Sequence, residues 1–176
     1  MVLSVSAQSK KERKKDKIKS TTEFATTFIN GVSTTYKSSY EEYTKNGKVL
    51  MKIEYSPEGT ILSKETAKYD EFGNKTEETK YDAAKMKNVR KTYKYDAFKD
   101  KTEEVEYSPS GTVERKTAFT YNSNGEKTSE VITDAAGTIV KKMVYTYNPK
   151  KLKVNRQTFN TTNALEEEKK WEYEYY

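Results

Sequence analysis

The sequence predicts an all-β protein, an antiparallel meander of about 11–12 strands in one strongly coiled single-layer sheet that is open or rolled towards a barrel. Three observations predict this fold. They are a tyrosine repeat, turn residues at fixed distances after each repeat position, and the fact that the aromatic residues of the predicted strands from Val49 onwards all have odd residue numbers. Eleven positions from Tyr43 to Tyr173 follow one another at alternating intervals of 12 and 14 residues, and nine are tyrosine. The chain therefore contains a 26-residue internal repeat. We call these positions the Tyr slots: Tyr43, Tyr55, Tyr69, Tyr81, Tyr95, Tyr107, Tyr121, Thr133, Tyr147, Phe159 and Tyr173.

A tight turn is predicted after each Tyr slot from Tyr43 to Phe159. The residue after each of these slots is Asp, Asn, Ser or Thr, whose short polar side chains open type I turns. Six of the seven glycines stand four places after a slot, where a hairpin turn needs a left-handed residue to form its bulge. The same conformation is predicted for the residues that fill the remaining positions: Lys85, Lys99, Lys151 and Asn163.

One strand is predicted between each pair of successive turns, and Thr, Tyr, Val and Ile in these segments suit strands. The predicted ranges are 20–29, 34–44, 48–56, 60–70, 74–82, 86–96, 100–108, 112–122, 126–134, 138–148, 152–160 and 164–174. Hydrophobic residues form only 33% of the chain, so tyrosine is expected to supply buried area that aliphatic residues usually provide. Residues 21–176 are interpreted as a single β-repeat domain.

The strand aromatics from Val49 to Tyr173 all have odd numbers. The predicted turn pairs each Tyr slot with the residue six positions later, which joins odd positions to odd positions. Because side chains alternate between the faces of a strand, this parity predicts one aromatic face and one Thr, Lys and Glu face.

A tyrosine and a lysine are predicted to pair on the aromatic face once in every 26 residues. The pairs are Tyr69 with Lys75, Tyr95 with Lys101, Tyr121 with Lys127, and Tyr147 with Lys153. The lysine stems either cover the rings and stabilise a thin sheet, or form with them a ladder that grips an acidic glycan or polymer. These eight residues are the candidate ligand-binding ladder.

Two segments at the N-terminus differ from the repeat. Residues 1–8, MVLSVSAQ, are apolar and small and resemble the end of a secretory signal peptide of a Bacteroidetes-type bacterium. Residues 9–20 form a basic tail with seven cations and two acids, interpreted as a solvated, disordered arm. Since most of the net charge of +6 lies in this tail, the sheet lacks a broad phosphate-binding surface, and no nucleic acid partner is predicted.

Several units resemble the YD repeats of the RHS family, whose units open with Tyr-Asp, two variable residues and Gly. The similar segments are YDEFGNKTEETKYD, YDAFKDKTEEVEY, YSPSGTVERKTAFTY and YNSNGEKTSEV. In that family the repeats build long curling β-sheets, often shells around a toxic cargo. The resemblance implies a curling sheet for residues 43–173, in a short form without a toxin domain.

The absence of His and Cys removes the commonest general bases, thiol nucleophiles and transition-metal ligands. We expect no catalysis, no metal, no cofactor and no transmembrane segment. The function expected is that of an exported, periplasmic or extracellular module that binds or scaffolds at the cell envelope, with an acidic glycan or a protein as partner. The alternatives are self-assembly through edge strand 164–174 and, less favoured, a glycan-active enzyme. The oligomeric state is left open.

Overall fold

The structure is a computed structural model that describes residues 10–29, 32–174 and 176. It contains one short helix and twelve strands: α1 Lys10–Lys15, β1 Ser20–Ile29, β2 Val32–Tyr43, β3 Val49–Tyr55, β4 Ile61–Tyr69, β5 Lys75–Asp82, β6 Lys87–Tyr95, β7 Lys101–Tyr107, β8 Val113–Tyr121, β9 Lys127–Asp134, β10 Ile139–Tyr147, β11 Lys153–Phe159 and β12 Leu165–Lys170. The strands form one sheet in the order β1 to β12, so the predicted meander is confirmed. No pairing of β1 with β12 closes it among the described residues.

Most strand ends lie within two residues of the predicted ends, except that β12 stops at Lys170. The predicted signal-peptide remnant, residues 1–8, lies outside the described residues. The chain divides into two compact units, which we call unit 1, up to Arg90, and unit 2, from Lys91 onwards. No helix in the described part of the chain is long and apolar enough to cross a membrane.

The turns follow the predicted chemistry. After Tyr69, for example, the Asp70 N–H donates to the Asn74 carbonyl at 3.0 Å and the Gly73 N–H donates to the Asp70 carbonyl at 3.0 Å. The Asp70 carboxylate accepts a further bond from the Asn74 N–H at 2.7 Å. The six predicted glycines all have positive φ, and so do three of the four residues predicted to replace them: Lys99, Lys151 and Asn163.

The prediction for Lys85 is wrong, because the turn after Tyr81 starts one residue later than the others. Asp82 stays in β5, and the Met86 N–H closes the turn on the Ala83 carbonyl at 3.2 Å. The Asp82 carboxylate accepts instead from the Lys85 N–H at 3.1 Å. Met86, with φ of 47°, therefore takes the left-handed position.

Lys99→Gly is expected to stabilise the protein by about 1 kcal/mol, because Lys99 has a φ of 69° that disfavours any residue with a Cβ. Urea unfolding measures the gain. The converse control is Gly111→Ala, where φ is +86° and an added Cβ would meet nothing within 4 Å. It should destabilise by a similar amount through the backbone alone. Equal stability of wild type and Lys99→Gly would show that this turn is not strained.

An extra residue sits at the second position of the strand that follows a turn. Tyr121 pairs with Lys127 but Thr120 pairs with Ser129, which leaves Thr128 without a partner position. The same shift occurs in every other slot hairpin whose register is described, with these extra residues: Leu50, Leu62, Thr76, Glu114, Val140, Val154 and Glu166. Beyond such a bulge, each residue lies on the opposite face of the sheet from the one that uninterrupted alternation would give it.

The prediction of one odd-numbered aromatic face is therefore wrong. In the slot hairpins whose register is described, odd positions meet odd positions only in the row next to the turn, and beyond the bulge Phe119 pairs with Glu130. Tyr107 lies on the opposite face from Phe119, where its hydroxyl is 3.3 Å from Thr92 Oγ1. We call the face that carries Phe119 the ladder face. Both faces of the sheet thus carry aromatic rings.

The basic tail contains α1, and Arg13 in the last turn of this helix contacts the β2–β3 hairpin of unit 1. The Arg13 guanidinium lies 4.6 Å from the centre of the Tyr43 ring, and its Nε donates to the Gly47 carbonyl at 3.2 Å. Tyr43 is 6% exposed, so the contact covers part of the small core of this unit. The interpretation of a disordered arm is wrong for this stretch, because a guanidinium–ring contact and a backbone bond fix Arg13.

Candidate functional site: a ring–cation ladder in unit 2

Lysines on the ladder face of unit 2 lie between pairs of aromatic rings. Lys101 Nζ is 5.2 Å from the centre of the Tyr93 ring and 4.6 Å from that of Phe119. Lys127 Nζ is 5.3 Å from Phe119 and 5.1 Å from Tyr145. These distances are within the range of cation–π attraction.

Lys153 continues the series at the end of unit 2. Its Nζ lies 4.7 Å from the centre of the Tyr145 ring and 5.5 Å from that of Trp171. We define the ring–cation ladder by its members in spatial order: Tyr93, Lys101, Phe119, Lys127, Tyr145, Lys153 and Trp171. Tyr145 is only 8% exposed, which makes it the most deeply covered ring of the series.

The sequence predicted the lysines of this ladder but not the rings. In register, Tyr121 pairs with Lys127 and Tyr147 with Lys153, as expected. Tyr95 ends β6 and Lys101 begins β7. The rings against the ammonium groups, however, stand two residues before the slots. The missed signal is a second 26-residue series of aromatic residues: Tyr93, Phe119, Tyr145 and Trp171.

The slot tyrosines fix the backbone beneath the ladder. The Tyr121 hydroxyl donates to the Lys101 carbonyl at 2.9 Å, and the Tyr147 hydroxyl donates to the Lys127 carbonyl at 2.9 Å. Tyr173 donates in the same way to the Lys153 carbonyl at 2.8 Å. Burial raises the pKa of the Tyr121 and Tyr147 hydroxyls. These groups are therefore neutral structural donors at physiological pH.

Unit 1 contains the first predicted pair and a related arrangement. Tyr69 pairs with Lys75 in register, and its hydroxyl donates to the Val49 carbonyl at 2.9 Å. Lys48 lies against the Tyr69 ring, with its Nζ 5.1 Å from the ring centre. Lys75 forms an ion pair with Glu78 at 2.9 Å.

The first two cations of the ladder are neutralised by carboxylates three residues later. Lys101 Nζ is 2.7 Å from Glu104, and Lys127 pairs with Glu130. In a regular strand residues i and i+3 point to opposite faces, so the bulge at Thr128 is what brings Lys127 and Glu130 together. Desolvation alone would raise the pKa of Glu104, but hydrogen bonds from Lys101 and Lys91 lower the pKa below its usual value.

We call each lysine of the ladder, with the rings on either side of it, a rung. The charge pattern reverses at the last rung, that of Lys153. Lys153 is followed three residues later by Arg156, where the other rungs have a glutamate. No carboxylate contacts Lys153 within residues 10–29, 32–174 and 176. Arg156 instead pairs with Glu167 on β12 at 2.6 Å. The end of the ladder is therefore locally basic, and its inner rungs are internally compensated.

An open groove of about 830 Å³ lies at the turn end of β8, and its lining includes Asp96, Asp100 and Tyr121. The Asp96 carboxylate is already used by its own turn, where it accepts from the Phe98 and Asp100 N–H groups at 2.9 Å each. In the described part of the chain, no group of three or more His, Cys, Asp or Glu residues is arranged to hold a metal ion.

No family model matches the sequence, and no curated protein matches it. The solved structures that match this chain include a chain of a bacterial toxin and two proteins from Bacteroides. A chain of a Photorhabdus luminescens Tc holotoxin pore has 13% identity and a TM-score of 0.47, with 88% of this chain and 10% of that chain covered. This chain thus spans about a tenth of the toxin chain that it matches.

The other two similar structures come from Bacteroides. A porin-like protein from Bacteroides uniformis has 10% identity and a TM-score of 0.36, with 81% of this chain and 78% of that chain covered. A protein of unknown function from Bacteroides fragilis has 16% identity and a TM-score of 0.23, with 85% and 93% covered.

Proposed function

We propose that this chain is a non-catalytic β-repeat module, exported to the cell envelope, that scaffolds a ring–cation surface for binding an acidic glycan. The observation that carries this proposal is the ladder of unit 2. Its rings and cations are held in a fixed series by backbone bonds from the slot tyrosines. A regular series of this kind suits an extended ligand better than a small substrate.

The ladder offers binding chemistry but no proton-transfer machinery. Its inner carboxylates, Glu104 and Glu130, are occupied by lysines, which hold the pKa of Glu104 below its usual range. A general acid in glycoside hydrolysis needs a raised carboxyl pKa, so this environment favours binding over cleavage. Export is supported by the apolar, small-residue pattern of residues 1–8. Cell fractionation that placed the mature protein in the cytoplasm would refute the proposal that the protein is exported.

Binding is tested with acidic and neutral glycans against wild type and the triple variant Lys101→Ala, Lys127→Ala, Lys153→Ala. Wild type should bind acidic glycans and release no reducing ends from them. The triple variant should lose this binding. Equal binding by both proteins would refute the ladder as the ligand surface. Reducing-end release by wild type would refute the non-catalytic assignment. Circular dichroism shows whether the triple variant is folded.

Self-assembly is a second candidate function, and the structure favours β1 over the predicted strand 164–174 as the edge for it. Every residue of β12 is exposed, and Glu167, Glu168 and Lys170 form ion pairs within the sheet. Strand β1 has a single charged residue and exposes Phe24 and Phe28 by 65% and 66%. An edge strand with only one charge and with exposed rings is a template for strand pairing.

Light scattering across a concentration series distinguishes this second candidate. Growth of mass with concentration that is abolished in Thr26→Lys would support assembly through β1. Thr26 is suitable because it lies mid-strand, opposite Thr35, and a lysine there blocks edge pairing. A constant monomeric mass would exclude assembly under these conditions.

A further inference from the structure

The last rung of the ladder differs from the inner rungs in charge, ring type and hydrogen bonding. The motif Lys-x-x-Glu recurs at Lys75, Lys101 and Lys127, and at Lys153 it becomes Lys-x-x-Arg. The bulge at Val154 places Arg156 on the ladder face, because Arg156 pairs with Tyr145. Two cations therefore share a face where the repeat otherwise places an ion pair.

Buried polar atoms of β11 lack partners at the same place. Thr158 is 5% exposed, and its Oγ1 has no hydrogen-bond partner among the described residues. Arg156 Nε is also buried without a partner there. Thr158 lies on the ladder face two residues beyond Arg156, since its register partners are Met143 and Glu167. Buried polar groups normally have partners, so these atoms indicate a place where a ligand can supply them.

Glu167 occupies the carboxylate position of this rung in the free protein. It pairs with Arg156 at 2.6 Å and with Lys169 at 3.2 Å. Its strand, β12, is exposed along its whole length, so the pair is weakened by solvent and is readily exchanged. An incoming carboxylate can take the place of Glu167 on the guanidinium, whose planar fork matches it.

We propose that Lys153, Arg156 and Thr158, with the Trp171 ring beside them, form a binding site for one carboxylated sugar unit of an acidic polysaccharide. This inference rests on the proposed glycan-binding function and names the rung responsible. Arg156 and Lys153 neutralise the carboxylate, Thr158 bonds a sugar oxygen, and Trp171 offers an apolar ring face. Because Lys101 and Lys127 are already paired with glutamates, one site per chain is expected.

A sugar is favoured over nucleic acid by the neutrality of the neighbouring rungs. A phosphate polymer carries a charge at every unit and is bound by many cations at once. Here the adjacent cations are paired with Glu104 and Glu130, so only the terminal rung has spare positive charge. Inorganic polyphosphate serves as the competing probe in the experiment.

The experiment uses the full chain, with Trp171 as the fluorescent probe because it is the only tryptophan. An oligomer of galacturonic acid should change the Trp171 emission saturably at one site per chain. The neutral galactose oligomer and polyphosphate should bind at least about 10-fold more weakly. Equal or tighter binding of either one would overturn the assignment of a carboxylated sugar.

Three variants locate the site. Arg156→Glu restores the Lys-x-x-Glu motif and should weaken binding about 10- to 100-fold. Glu167→Gln removes the competing carboxylate and should tighten binding about 3- to 10-fold. Lys170→Gln is the matched control, because it removes one cation from β12 on the opposite face and should leave binding unchanged. Lys153→Gln replaces Arg156→Glu if circular dichroism shows that Arg156→Glu does not fold.

The outcomes separate this inference from the broader proposal. If the galacturonic acid oligomer binds but Arg156→Glu and Lys153→Gln bind as wild type does, the terminal rung is refuted and glycan binding stands. If no acidic glycan binds to wild type, both the terminal-rung site and the glycan-binding function are refuted. Weaker binding in Glu167→Gln would also overturn the exchange at Arg156.

Discussion

Tyr145→Ala is expected to lower the free energy of unfolding by about 3 to 5 kcal/mol, the largest effect of any single truncation in unit 2. The ring is 8% exposed and lies between two ammonium groups, 5.1 Å from Lys127 Nζ and 4.7 Å from Lys153 Nζ. Truncation removes buried area and leaves both cations without their shared ring. Urea unfolding followed by Trp171 fluorescence measures the change.

Two matched variants separate the causes. Tyr145→Phe keeps the ring and should lose only about 1 kcal/mol, because it removes only the hydroxyl, which donates to Met143 Sδ at 3.7 Å. Phe98→Ala truncates a ring that is 87% exposed and should cost less than about 0.5 kcal/mol. A loss below about 1 kcal/mol for Tyr145→Ala would show that the ladder does not stabilise unit 2.

Unit 1 is expected to lose about 1 to 2 kcal/mol of stability between pH 4.5 and pH 2 through the carboxyl of Glu78. Desolvation raises the pKa of Glu78, but hydrogen bonds from Lys80 and Lys75 outweigh it and lower the pKa to about 2. A carboxyl with a lowered folded-state pKa stabilises above its unfolded pKa, and that stabilisation disappears as pH falls through the folded value. The figure is modest because both lysines are partly open to solvent.

Urea unfolding by far-UV circular dichroism at pH 7, 4 and 2.5 tests this expectation. Glu78→Gln should be less stable than wild type at pH 7, and the difference should shrink as the pH approaches 2. Glu71→Gln, an exposed turn residue of the same unit, is the control and should follow wild type at each pH. A constant difference between wild type and Glu78→Gln across this range would contradict the assignment.

Much of the fold follows from local chemistry and could be predicted. The short polar residue after a slot closes its own turn, as Asp70 does with Asn74, and the glycine three residues later adopts the left-handed backbone. These interactions span five residues, so the sequence contains all of their parts. The turn after Tyr81 was misplaced because Asp82 and Ala83 compete to open it, and only the pairing of β5 decides between them.

The candidate site could be predicted only in part. The 26-residue spacing located Lys101, Lys127 and Lys153, but the rings that flank them depend on side chains from strands on either side. The second aromatic series, from Tyr93 to Trp171, was visible in the sequence and was assigned only to a common face. The numbering of the sequence alone predicts the wrong face for the glutamates at i+3, because a strand without bulges places residues i and i+3 on opposite faces.

The sequence by itself determined the number of strands and, except after Tyr81, the positions of the turns and the slot-turn residues that need positive φ, because each depends on a few neighbouring residues. The tertiary structure decided which side chains share a face. The extra residue at the second position of the strand after a turn moves the residues beyond it to the opposite face from the one that odd or even numbering predicts. The position of this extra residue depends on pairing between strands. That reversal joins Lys127 to Glu130, and it leaves Lys153 and Arg156 together on one face, where Arg156 takes its carboxylate from Glu167 on β12.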